Sequence, residues 1–305
     1  VAQVEKKEPK GIMTKVVAGI FTAVVAPVLV AVGVKWLDPS TWKAAPATQT
    51  AQAGQAQGPW NRRHLQFDIP GNLTDNFVSY GWSADSTPQA NSLSASASPF
   101  EMIDAKAGGG IRARPGRIGS LTNKVDCDNY VLTLEYQWGT PSQGKPRTAA
   151  VRVHMTGLDA KHPDGAQGLA ILLNEGNAGA VRLLGDAGKI QAVCKCKNVP
   201  LGNNRYCRVY DPSAPDTPVS TGNPTGWDGT ICRLGVPTAA DPARPGGWNK
   251  LAVTCMGDTV TVSVNDQPTC QLTKLKQAKG RIALTTEQAM ITYRQVHIQP
   301  LDGKK

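Results

Sequence analysis

The side chains in this sequence that could do chemistry are few and dispersed. Histidine occurs as His64, His154, His162 and His297, with no HxH or HxxxH spacing, so no metal site is expected. His154 lies in the strand-like run AVRVHM at 150–155. Alternation puts it on the side of Arg152, opposite Val151, Val153 and Met155. There it is either a base or an ordinary polar residue on the outer or concave face of a sheet. Glu287 and Arg294 are close enough in the chain to form a polar pair inside a cleft, or a structural salt bridge. Trp227, in TGWDGT, reads as a platform for a sugar ring or as a core side chain anchoring its loop. Trp248 reads as core.

Seven cysteines are present: Cys127, Cys194, Cys196, Cys207, Cys232, Cys255 and Cys270. The single CxC, Cys194 and Cys196, has no second pair at zinc spacing, and on a strand both thiols share a face. A disulfide from Cys194 or Cys196 to Cys207 suits an oxidising compartment. Buried free thiols are the alternative. The odd count leaves at least one cysteine free or paired between chains. No haem, flavin or iron–sulfur ligand motif occurs, so no cofactor is expected.

What must position these residues is a set of strands. The chain has 305 residues, 31 Gly and 22 Pro, and only 18% charged residues. Long amphipathic helical patterns are absent. Residues 130–138 (YVLTLEYQW) alternate with Tyr130, Leu132, Leu134, Tyr136 and Trp138 on one side. Further strand-like segments cover 110–114, 117–121, 150–155, 169–173, 180–184, 189–193, 248–255, 259–264, 269–272, 280–285 and 291–299. Tight hairpins are expected at Met256-Gly257-Asp258 and Asn265-Asp266. About a dozen short strands imply a two-sheet sandwich or a barrel. Residues 83–99 read as a loop. Residues 198–245, rich in Pro, Gly, Asn, Ser and Thr, read as a long loop excursion that forms a cleft wall or a docking surface.

The front of the chain has a different character. Residues 16–34, from Val16 to Val34, carry no charge and as a helix would span about 30 Å. Lys6, Lys7, Lys10 and Lys15 precede the run; Lys35 follows, with Trp36 and Trp42 placed as interfacial aromatics. The expected organisation is a cytoplasmic tail (1–15), one transmembrane helix (16–37), a small-residue linker (38–59) and an extracytoplasmic β-sandwich (60–305). A cleaved signal peptide is the alternative for the apolar run. The N-terminus would be cytoplasmic, and the sandwich would lie outside a bacterial cytoplasmic membrane. The formal net charge of +10 is spread along the chain, with no nucleic-acid module. Lipid, glycan or an acidic partner is therefore expected rather than nucleic acid.

Five ordered blocks resemble the 3-keto-disaccharide hydrolase family. They are DNYVLTLEYQW (128–138), GNAG (176–179), RPGGWN (244–249), TVTVSVN (259–265) and GRIALTTEQAMITYRQVHIQPL (280–301). The resemblance covers about residues 100–302 and implies a concanavalin-like jelly roll: an all-β two-sheet sandwich, here preceded by one transmembrane helix. It also implies a glycan or keto-disaccharide as ligand.

Several positions depart from the family pattern. Where the family carries an acid and a Gln before GNAG, this chain has Ala170 and Leu172. The Asp after GNAG is Ala180, the Glu of GEWN is Gly247, and the family's Arg on the earlier strand falls at His154. Glu287 and Arg294 remain. Glycoside cleavage uses positioned acid and base groups, and Ala, Leu and Gly cannot carry protons. If the chain were active, Glu175, Glu287, His154 and Arg294 would be its catalytic candidates. Trp227, Asn177 and Arg294 are the ligand-binding candidates. The pattern favours a non-catalytic binding or scaffold subunit of a membrane protein assembly, respiratory or photosynthetic. The alternatives are a keto-disaccharide hydrolase or lyase, and a lectin-like module.

Overall fold

The computed structural model describes residues 65–66, 75–82, 88–91 and 96–301, apart from breaks at 105, 107–108, 140–146, 159–161, 163–164, 203–204, 223–229, 233–245 and 288. The expected tail, anchor and linker, including Val16, Val34, Trp36 and Trp42, lie outside the described residues. Among the described residues no helix is long and apolar enough to cross a membrane.

The described residues form two sheets packed face to face, antiparallel apart from one parallel pairing. Sheet A is built on β7 (Tyr130–Trp138), with β15 (Asn249–Met256) on one side and β19 (Ile291–Pro300) on the other. Beyond β15 come β16 (Thr259–Val264) and β17 (Gln267–Thr273). Beyond β19 comes β5 (Ile111–Ala113), then β4 (Phe100–Met102), and β1 (Leu65–Gln66) pairs further along β19. Sheet B runs from β3 (Pro88–Asn91) through β2 (Phe77–Trp82), β6 (Ile118–Asn123), β18 (Arg281–Glu287), β8 (Ala149–Thr156), β9 (Gln167–Leu172) and β10 (Val181–Leu184).

The core forms because alternation turns one side of each strand inward. All five expected residues of β7 are buried. Ile298, Leu132, Val253, Val262 and Cys270 follow one another across five strands of sheet A. Leu121, Leu284, Val151, Ile171 and Val181 do the same across sheet B. The two sets meet in one apolar cluster. The 265–266 hairpin closes with Asn265 and Asp266 both at positive φ, 49° and 64°, as a two-residue turn of primed type requires.

Three expectations need correction. The stretch 198–245 is not one loop. β11 (Gln191–Gly202) runs into it and turns back through β12 (Arg205–Tyr210), followed by β13 (Asp216–Ser220) and β14 (Thr230–Cys232). Short β-rich segments such as RVY and TPVS pair despite the surrounding Pro and Gly. Likewise 83–99 contains β3. The Cys194 or Cys196 to Cys207 disulfide is also absent: all three are free thiols. In the β11–β12 hairpin Cys207 faces Val199, while Cys196 faces Tyr210 three positions away. That offset is beyond the reach of a disulfide.

Candidate functional site

Three of the altered family positions, Ala170, Leu172 and Ala180, assemble on the outward face of sheet B. Val78, Thr122, Ala283, Arg152, Ala170, Arg182 and Thr230 follow one another across seven strands, each directly opposite the next. The neighbouring row holds Tyr80, Ser120, Thr285, Ala150 and Leu172. The Leu172 amide donates to the Ala180 carbonyl at 2.8 Å, which brings Ala180 to the end of that row. Ala150, Ala170, Leu172 and Ala180 form an apolar cluster separate from the main core, with Leu184 against it. The floor is thus carbon, and Arg152 and Arg182 stand on either side of Ala170. Arg182 Nε donates to Thr230 Oγ1 at 3.0 Å.

A guanidinium stays protonated and has no acceptor lone pair. Among the described strand residues of the face, the one carboxylate is Glu287, exposed at the end of β18. The face otherwise presents positive charge, hydroxyls and an apolar floor.

The catalytic candidates are not brought together. His154 does not share a face with Arg152. It sits at an irregularity in the β8–β9 ladder with φ of 53°, and the ring is buried edge-on against Tyr130, with centroids 5.9 Å apart. The kink reverses the alternation that the sequence suggested. Its Nδ1–H donates to the Gln277 carbonyl at 3.0 Å, and the Gln277 side-chain amide donates back to the His154 carbonyl. Gly280 is required here: a Cβ would lie 2.5 Å from the His154 carbonyl carbon. Burial lowers the His154 pKa to about 4, against smaller opposing effects from the Gln277 hydrogen bond and Asp128. It is a neutral core side chain. The arginine that faces the groove from β8 is Arg152, two residues earlier.

Glu287 and Arg294 belong to different sheets. The turn between β18 and β19 carries the chain from sheet B to sheet A. Arg294 Nε donates to Glu135 Oε2 at 2.6 Å, and its guanidinium lies 3.8 Å from the centre of the Trp248 ring. Trp248 is therefore half-buried on the outer face of sheet A rather than in the core. Glu175 is held by Arg147, which donates from Nε to Oε2 at 3.0 Å and from a terminal nitrogen to Oε1 at 2.5 Å. Arg147 also donates to the Gly139 carbonyl at 3.0 Å and lies 5.9 Å from the Trp138 ring centre. The Arg147 hydrogen bonds keep the Glu175 carboxyl below its ordinary pKa, partly offset by desolvation. A general acid needs the opposite shift. Asn177 lies in the tight turn after β9, its amide donating to the Asn174 carbonyl at 2.9 Å. Gly247 is half-buried beside Trp248. Trp227 lies outside the described residues. Arg152 and Arg182 were missed in the sequence because only the cross-strand register brings them to the two sides of Ala170.

The model of the 3-keto-alpha-glucoside-1,2-lyase-like domain matches residues 71–299. Solved structures are similar at low identity. A proposed glycosyl hydrolase from Parabacteroides distasonis ATCC 8503 is 16% identical, covering 66% of this chain and 90% of its own, with a TM-score of 0.39. A Bacillus subtilis protein of unknown function with a galectin-like fold is 8% identical, covering 79% and 96%, with a TM-score of 0.43. The carbohydrate-binding module CBM66 of Bacillus subtilis is 8% identical, covering 66% and 95%, with a TM-score of 0.37. No curated protein matches the sequence. With a match over most of its length, its ordered motif blocks and its two-sheet jelly roll, the chain belongs to the family of 3-keto-alpha-glucoside-1,2-lyase-like domains.

Proposed function

We propose that this chain is a non-catalytic binding or scaffold subunit of a membrane protein assembly, held outside a bacterial cytoplasmic membrane by residues 16–37. One observation carries the reading. Where a sugar-cleaving domain needs converging carboxylates, the outward face of sheet B presents Ala170 between two arginines, with Ala150, Leu172 and Ala180 in the next row. The apolar run at 16–34 and the lysines before it support the anchor and its orientation.

Purification of the full chain in mild detergent, followed by gel filtration, tests this. The expected result is stoichiometric co-elution with membrane-embedded subunits. Elution of the chain alone, together with turnover of a 3-keto-glucoside, would overturn it.

A glycan ligand is the second reading. It is favoured by the polar side chains on the same face, Arg152, Arg182 and Ser120. A glycan array with the soluble domain tests it, with loss of signal in Arg152→Ala as the expected sign of binding at this face.

A further inference from the structure

The register of β1 fixes the end of the sandwich at which the front of the chain arrives. Leu65 faces Ile298 and Gln66 faces His297, so β1 runs antiparallel to β19 and starts near that strand's last residue, Pro300. The chain therefore enters β1 at the end of sheet A where Pro300 meets Tyr130 and the Met256-Gly257-Asp258 hairpin turns. The connection from β17 to β18 lies at the same end, its Leu275 amide donating to the Asp258 carbonyl at 2.9 Å. Its Lys276 amide donates to the Gln191 carbonyl at 3.2 Å, which brings in the turn before β11 and Lys189. Gly280 bridges to Cys127, and Arg281 pairs with Met155, so Leu158 just beyond β8 belongs here as well.

This end combines exposed apolar tips with lysines. Three large apolar side chains are exposed among the described residues, and two of them, Met256 at 56% and Leu158 at 39%, are here. Residues 273–280, TKLKQAKG, are pinned by buried Leu275 and leave Lys274, Lys276 and Lys279 exposed with no acid between them. Lys124 and Lys189 are exposed at the same end. The described acids there, Asp126, Asp128, Asp186 and Asp258, all lie on other connections, and Asp126 has Arg281 at 4.0 Å.

We propose that this end of the sandwich rests on an anionic bilayer surface, with Lys274, Lys276 and Lys279 over the headgroups and Met256 and Leu158 at the interface. The proposal rests on the membrane-tethered reading above. About thirty residues separate Val34 from Leu65, enough for roughly 100 Å of extended chain, so tether length alone does not select the end that meets lipid. The lysines select it. Each lysine near an anionic surface strengthens the contact roughly fivefold, and salt screens the attraction. A tether raises the local concentration of lipid, so a contact too weak to recruit a free domain is populated. The methionine and leucine add apolar area that insertion at headgroup level covers. With this end on the bilayer, the outer face of sheet B is turned sideways, open to a partner in the membrane.

The experiment reconstitutes the full chain into nanodiscs of phosphatidylcholine alone and of an equal mixture with phosphatidylglycerol. Lysines are acetylated briefly with acetic anhydride and mapped by mass spectrometry. Lys274, Lys276 and Lys279 should react roughly threefold more slowly on the mixed lipid, and the difference should vanish at about 0.5 M salt. Lys250, whose amide is bonded to Asn265 at the opposite end, should react alike on both. Lys124 and Lys189 should follow the three lysines. The combined variant Lys274→Asn, Lys276→Gln and Lys279→Gln should free both, Asn being suited to the φ of 54° at position 274. Equal acetylation of the three lysines on both lipids, or protection of Lys250 as strong as theirs, would overturn the proposal. Flotation with phosphatidylcholine vesicles reads the anchor separately. If the chain does not float there, the anchor reading falls, and the same lysines are read on the chain mixed with phosphatidylglycerol vesicles. Protection there sustains the lipid-facing end, and its absence overturns it.

Discussion

The two outer faces of the sandwich carry charge in opposite ways. On sheet A acids and bases meet. Arg294 and Lys250 lie on either side of Glu135, with Arg294 hydrogen-bonded to it. Glu101 takes Arg112 and Arg114, and Lys250 takes Asp266 at 3.0 Å. On sheet B two arginines stand beside a strip of alanine and leucine, and the one strand carboxylate among the described residues lies at its end. The chain is not short of acids, with 23 Asp and Glu. On the proposed reading, sheet A's face contributes mainly to stability and sheet B's face to recognition.

Five variants sharpen that contrast, starting with the largest effect. Leu172→Asp places a carboxylate between Ala150 and Ala180 and should cost about 3 kcal/mol or more. Ala170→Asp, between Arg152 and Arg182, should cost at least about 1 kcal/mol less. Urea denaturation of both variants checks this, and equal losses would show that the arginines do not set the field there.

The second effect depends on pH. His154 is held neutral, its pKa lowered to about 4 from 6.5. The unfolded chain binds this proton more readily, so the stabilisation is complete above pH 6.5 and fades as pH falls toward 4. The loss is up to about 3 kcal/mol. His154→Asn, which tolerates the positive φ, should flatten that part of the stability profile.

The fourth variant, Arg294→Ala, removes the Glu135 hydrogen bond and the Trp248 stack. It should cost about 1–2 kcal/mol in thermal or urea melts and leave partner binding unchanged. The smallest effect is expected from Glu175→Gln. The side chain is 47% exposed, so losing its pair with Arg147 should cost no more than about 1 kcal/mol. That contribution is present at neutral pH and disappears as acid protonates Glu175.

The strands were legible wherever burial follows simple alternation. β7 reads directly because one side is core and the other is not. His154 was misplaced because a kink at a non-glycine residue leaves no mark in the sequence. Glu287 and Arg294 misled for the opposite reason: seven residues of chain are enough to change sheets. Ala170 and Ala180 were readable as missing acids through the family motif. Arg152 and Arg182 were not, since their relation to Ala170 exists only after β8, β9 and β10 have paired. The short strands within 198–245 were hidden by proline and glycine that mark turns between them.

A binding role for sheet B's outer face predicts that it moves no protons. Steady-state turnover of a 3-keto-glucoside by the purified full chain measures this directly. The expected rate equals that of buffer for the wild type, Glu175→Gln and Glu287→Gln alike. Turnover above buffer that either substitution abolishes would contradict it.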